Sequence, residues 1–153
     1  IMPSASTRLN AWDLVEDSLQ AIVTGNGYWS TVASVSDQPP NPDATSGGPW
    51  LVMSFGGEAF ESVTIGGYYS TTQAIHIDAY LYKTGSYVQN SCKLMQDVRR
   101  VVTEVLALDG AISGVSTVRL VASDQDTGWL QYTGGLVHFR QTIEFRYKTR
   151  SAW

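Results

Sequence analysis

The chain has 153 residues, 43% hydrophobic and 16% charged, with a formal net charge of −4. That length suits one domain with a substantial core, and the composition excludes a disordered chain. The acidic balance argues against a dedicated nucleic-acid binder, and no apolar run approaches the roughly 18 residues of a membrane-spanning helix. The first apolar positions are periodic rather than continuous, so no signal peptide is expected. Cys92 is the single cysteine, which rules out an intrachain disulfide and fits folding in a reducing compartment.

Taken in chain order, residues 6–24 come first. Leu9, Trp12, Val15, Leu19 and Ile22 recur at three- and four-residue steps, one face of an amphipathic helix. Ser6 or Thr7 can cap its start, and Gly25 and Gly27 can stop it. Residues 28–35, YWSTVASV, are rich in aromatic and β-branched types and predict a strand. Residues 37–49 hold four of the five prolines, among them Pro39, Pro40 and Pro42, and predict a long exposed loop. Residues 50–55, WLVMSF, predict a strand ending at Gly56-Gly57, with a short further strand over 58–65 broken by Gly66-Gly67. Residues 72–83 alternate, with Ile75, Ile77, Ala79 and Leu81 against His76, Asp78, Tyr80 and Tyr82, as a strand with one face on a core does.

A second helix is predicted over 88–108. Its apolar stripe is Cys92, Met95, Val98, Val102, Val105 and Leu106, and Asp109-Gly110 ends it. A strand over 116–124 follows, then a turn-rich link over 124–135. The last strand, LVHFRQTIEFRYKTR, spans 136–150. Val137, Phe139, Ile143, Phe145 and Tyr147 share one parity; His138, Arg140, Thr142, Glu144, Arg146 and Lys148 share the other. The order is α-β-β-(β)-β-α-β-β, without the alternation of a doubly wound fold. It predicts one α+β domain over 1–153: a single, mostly antiparallel (mixed) sheet with two helices on one face.

The charge is uneven. Residues 136–153 carry four basic and one acidic side chain, and the remainder six basic and thirteen acidic. A basic end on an acidic body can serve self-association, or it can be a solvated strand face.

Chemistry-bearing motifs are weak. His76 and Asp78 share a face and can form a pair, but a metal site needs further converging ligands. Asp124-Gln125-Asp126 lacks the glycine and distal acid of a calcium loop and predicts a turn. The four Gly-Gly pairs lack the spacing of a phosphate loop. Cys92, on an apolar stripe, reads as an inert core residue. No catalytic residue, metal or cofactor is expected. What stands out is aromatic area on non-core positions: Tyr80 and Tyr82, with Trp129 and Tyr132 in the link. Such residues are typical of protein interfaces, unless the chain's own loops cover them.

Element order and length, together with WLVMSFGGE after the loop, QDVRRVV in the second helix and HFRQTIEFRY in the last strand, resemble the tail terminator, or tail completion, proteins of long-tailed bacteriophages. The resemblance covers nearly the whole chain. It implies a non-enzymatic structural protein of the virion tail, assembled in the host cytoplasm as a ring, usually a hexamer. The ring caps the tail tube, ends its polymerisation and offers the head connector a docking surface, and DNA passes through its channel without specific binding. On that expectation the surfaces meeting neighbours, tube and connector draw on Tyr80, Tyr82, Trp129, Tyr132, Arg140, Arg146, Lys148, Pro39, Pro40 and Pro42. Two other readings are a different phage neck, head-closure or minor tail protein, and a small-molecule-binding or enzymatic domain with His76, Asp78 and the tyrosines as its pocket.

Overall fold

The computed structural model describes residues 7–41, 47–64, 68–83, 85–107, 110–112, 114–121 and 130–150. It has the α+β architecture expected, with two helices and a mixed six-stranded sheet. The elements are α1 (Thr7–Gln20), β1 (Ser34–Ser36), β2 (Trp50–Thr64), β3 (Tyr68–Tyr82), α2 (Tyr87–Val101), β4 (Val115–Val121), β5 (Gln131–Thr133) and β6 (Leu136–Arg150). The sheet runs β1-β2-β3-β6-β4, and β5 pairs with β6. β1 lies parallel to β2, and the other pairs are antiparallel.

The centre of the sheet is the β3–β6 ladder. It is unbroken from Tyr68 opposite Arg150 to Tyr82 opposite Leu136. Strict alternation fixes this register, because a one-residue slip would turn both apolar sets outward. Ile75, Ile77, Ala79 and Leu81 of β3 join Val137, Phe139, Ile143, Phe145 and Tyr147 of β6 in one core. Ala11, Val15 and Leu19 of α1 and Leu94, Met95, Val98 and Val101 of α2 belong to the same core. Two glutamines also sit on this inner parity. Gln141 accepts a hydrogen bond from Arg99 Nε of α2 at 3.1 Å and donates to the Arg140 carbonyl at 3.2 Å. Gln73 donates to the Gly56 carbonyl at 3.0 Å and the Ala74 carbonyl at 2.9 Å. Each buried amide therefore finds partners, as burial requires.

Four expectations are corrected. Gly56-Gly57 does not end a strand. The register between β2 and β3 shifts between Phe55 and Glu58, so the glycines form a bulge and β2 continues through residues expected as a separate strand. A side chain at Gly56 would meet the His76 ring, since a Cβ there would lie 2.5 Å from Nε2.

Second, the strand expected over 28–35 shrinks to Ser34–Ser36. The backbone donors before it are used elsewhere. Trp29 and Ser30 donate to the Asp97 carboxylate, Val32 to the Ile22 carbonyl and Ala33 to the Pro49 carbonyl. A donor so occupied cannot also enter a ladder.

Third, Cys92 is exposed rather than core. The buried face of α2 runs Ser91, Leu94, Met95, Val98, Val101, and Cys92 stands about 100° past Ser91 around the helix. Beyond Val101 the helix widens to a π turn over Val102–Leu106, which buries Val102 and Leu106 and leaves Val105 37% exposed.

Fourth, Leu9 is exposed, and Ala11 takes its place in the α1 stripe. Ala11, Val15 and Leu19 repeat at steps of four, a row of neighbours along one helix face. Trp12 leans onto Phe55 of β2, with ring centroids 4.7 Å apart.

Candidate functional site

On the sheet face opposite the helices, β3 and β6 present rows of polar cross-strand pairs. His76 stands opposite Thr142, Asp78 opposite Arg140 and Tyr80 opposite His138. Asp78 and Arg140 form a two-pronged pair, with Nε to Oδ1 at 2.8 Å and a terminal nitrogen to Oδ2 at 3.2 Å. Asp78 is 8% exposed, and its outward neighbours Val52 and Thr142 are buried with it. A planar guanidinium suits such a site, because its fork matches both carboxylate oxygens. His76 Nδ1 lies 2.8 Å from the Thr142 hydroxyl. His76 and Asp78 share this outward face, as their spacing predicts. Both contact β6, because opposite residues on adjacent strands stand close together.

Tyr80 stacks on His138, with centroids 5.0 Å apart and planes 22° apart. Burial raises the Tyr80 phenol, and the Asp78 carboxylate adds to the rise. Burial lowers the His138 imidazole, and Arg140 adds to the fall while Asp78 opposes it. His138 Nδ1 and the Tyr82 hydroxyl are buried and have no hydrogen-bond partner among the described residues. With its folded-state pKa below 6.5, His138 favours the folded state fully above that value. That contribution is lost as pH falls, because the unfolded chain takes the proton first. The urea midpoint is therefore expected to decline in acid below about pH 6.5. In His138→Phe this component of the decline should vanish, which parallel titrations at neutral and mildly acidic pH would reveal.

Tyr82 meets Trp50 edge-on at 5.6 Å. Tyr132 is 56% exposed. Its ring lies 4.7 Å from the Lys83 ammonium, and its hydroxyl 3.4 Å from that of Tyr87. Tyr80, Tyr82 and Tyr132 therefore gather at the end of the sheet where β5 pairs with β6. Arg146 and Lys148 lie toward the opposite end, exposed, and help to line a cavity of about 410 Å³ with Ser70, Gly114 and Ser116. Arg140 is committed to Asp78. Pro39 is exposed and Pro40 half-buried. Pro42, Trp129 and the Asp124–Asp126 turn lie outside the described residues.

Sequence reasoning passed over a second constellation, built on α2. The Asp97 carboxylate is buried, and each of its oxygens accepts one amide: Trp29 at 3.1 Å and Ser30 at 2.8 Å. Arg100 donates to the Gly27 carbonyl at 2.8 Å, and its guanidinium lies over the Tyr28 ring at 4.8 Å. Trp29 is held outward, 66% exposed. The signal in the sequence was an aromatic pair placed directly after Gly25-Asn26-Gly27, where a turn rather than a strand can present it. The charged residues of the DVRRVV stretch gave no hint of their partners.

Among the described residues, no group of three His, Cys, Asp or Glu could hold a metal ion, and no helix is long and apolar enough to cross a membrane. No protein-family model matches the chain, and no curated protein matches it in sequence.

Proposed function

We propose that the chain is a structural subunit of a phage tail. It would form a ring, hexameric by the resemblance, that caps the tail tube, ends its growth and receives the head connector. The observation that carries this reading is the disproportion between sheet and helices. β2, β3 and β6 each run 15 residues, about 50 Å of strand. α1 has 14 residues, about 21 Å of helix, and α2 with its π turn runs from Tyr87 to Leu106, about 30 Å.

The strands are thus longer than the helices, and Phe60 of β2 is 60% exposed. Along its outer edge β2 pairs with β1 at residues 50–52, and past Val52 no strand among the described residues covers that edge. Monomeric proteins blunt or cover such edges, whereas assembled subunits bury them. The three stretches behind the resemblance also carry structural weight. FGGE forms the bulge that bends β2, DVRRVV supplies Asp97, Arg99 and Arg100, and HFRQTIEFRY holds the centre of the sheet.

In this reading one end of the sheet and the proline-rich loop meet stacked partners. The outward face with Arg146 and Lys148 meets a neighbouring subunit or the channel, through which DNA passes unbound. Termination follows from two unlike ring faces: one reproduces the tube's stacking contact and the other does not. The small-molecule reading is disfavoured because Asp78 and His76, its central side chains, are engaged by Arg140 and Thr142. The test mixes purified protein with polymerising tube subunits and measures tube lengths in negative stain. Short tubes bearing a ring at one end are expected. Tubes that elongate as they do without the protein would remove the capping role.

A further inference from the structure

We infer that the groove beside Trp29 is a socket that receives α1 of a second copy of this chain. The inference rests on the ring reading and supplies its subunit contact. Trp29 is the most exposed of the large hydrophobic side chains among the described residues, yet its backbone is held. Its amide and that of Ser30 are held by Asp97, whose carboxylate is buried in the body of the protein, and Arg100 clamps the residues just before it. A main chain held by a buried charge presents the indole from a set position, so less conformational freedom is lost when a partner covers it.

Beside Trp29 lies a cavity of about 330 Å³ whose walls include Leu81, Tyr82, Asn90, Lys93 and Gly48. The Tyr82 hydroxyl has no hydrogen-bond partner among the described residues. The Lys93 ammonium stands 5.7 Å from the Trp29 ring. Lys93 makes no ion pair among the described residues. The groove thus offers an aromatic wall and a cation.

The complement is the outward face of α1. Leu9, Asp13, Glu16 and Asp17 stand at i, i+4, i+7 and i+8, on one side of the helix. Leu9 is 52% exposed. The three carboxylates meet no cation within ion-pair distance among the described residues. An apolar anchor followed by a row of acids fits a groove that presents an indole and an ammonium, in the manner of a helix laid into a groove. Socket and helix face are different parts of the chain, so the contact can repeat head-to-tail from copy to copy, and it closes into a ring where the rotation allows.

Charge exchange tests the pairing, with mass measured by light scattering over a range of concentrations. Lys93→Glu alone, and Asp13→Lys with Asp17→Lys alone, are each expected to weaken self-association by at least about tenfold. All three changes in one chain should restore the wild-type mass. Trp29→Ala should weaken association by about thirtyfold or more, as loss of a central tryptophan does. All these changes are at the surface, and unchanged circular dichroism would verify folding. A wild-type ring that persists in every one-sided variant overturns the socket while leaving the ring reading intact, as does failure of the triple exchange to recover. A wild-type chain that stays monomeric at all concentrations overturns both.

Discussion

Asp97→Ala is expected to lower the folding free energy by roughly 3–6 kcal/mol, the scale of two hydrogen bonds to a charged acceptor. The carboxylate is 1% exposed and is the acceptor for the Trp29 and Ser30 amides. Without it those donors must turn to water, and a site shaped for a carboxylate is left with a void. Asp97→Asn keeps one oxygen acceptor and should cost less. Urea denaturation gives the free energy, and hydrogen exchange at the two amides gives its location. Their protection should fall further than that of the β3–β6 ladder. Equal loss everywhere would mean that Asp97 does not hold this segment in particular. If the socket is correct, the same variant should also lose self-association, since a freed Trp29 must be ordered again on binding.

Arg140→Met is expected to cost roughly 2–3 kcal/mol, less than the 3–5 typical of a broken, fully buried pair. The discount reflects the Arg140 side chain, which is 32% exposed, while that of Asp78 is 11% exposed. The loss arises mainly from leaving the Asp78 carboxylate without its fork. Replacing both partners with apolar residues of similar size should therefore recover most of it, because no buried charge then remains. Urea titrations of the two variants decide the matter. If Arg140→Met stays within about 0.5 kcal/mol of the wild type, water screens the pair as at an exposed site.

The two central strands could be read directly. In β3 and β6 the period-two alternation matches the burial at nearly every position from 70 to 82 and from 136 to 148, because a half-buried strand expresses its environment locally. Gln73 and Gln141 break the pattern, since their inward amides are stabilised by partners distant in sequence, the Gly56 carbonyl and Arg99. Cys92 was misplaced for a related reason. Several helix phases bury some apolar residues, and the sheet beneath selects one of them. The candidate surface divides the same way. Tyr80, Tyr82 and Tyr132 could be chosen for their residue type on non-core positions, whereas Trp29 looked like part of a strand until Asp97 took its amide.

By itself the sequence determined two amphipathic helices, a sheet built on two long alternating strands, and an acidic body with a basic last strand. Those properties follow from residue type and spacing over a few turns or pleats. The tertiary structure alone decided that Gly56-Gly57 bends a strand instead of ending it, that Asp78 and His76 pair across to β6, and that a buried carboxylate on α2 holds the backbone of an exposed tryptophan. Each of these depends on groups 17 to 68 positions apart in the chain. Contacts at that range are set by how the elements come together, and no local pattern encodes them.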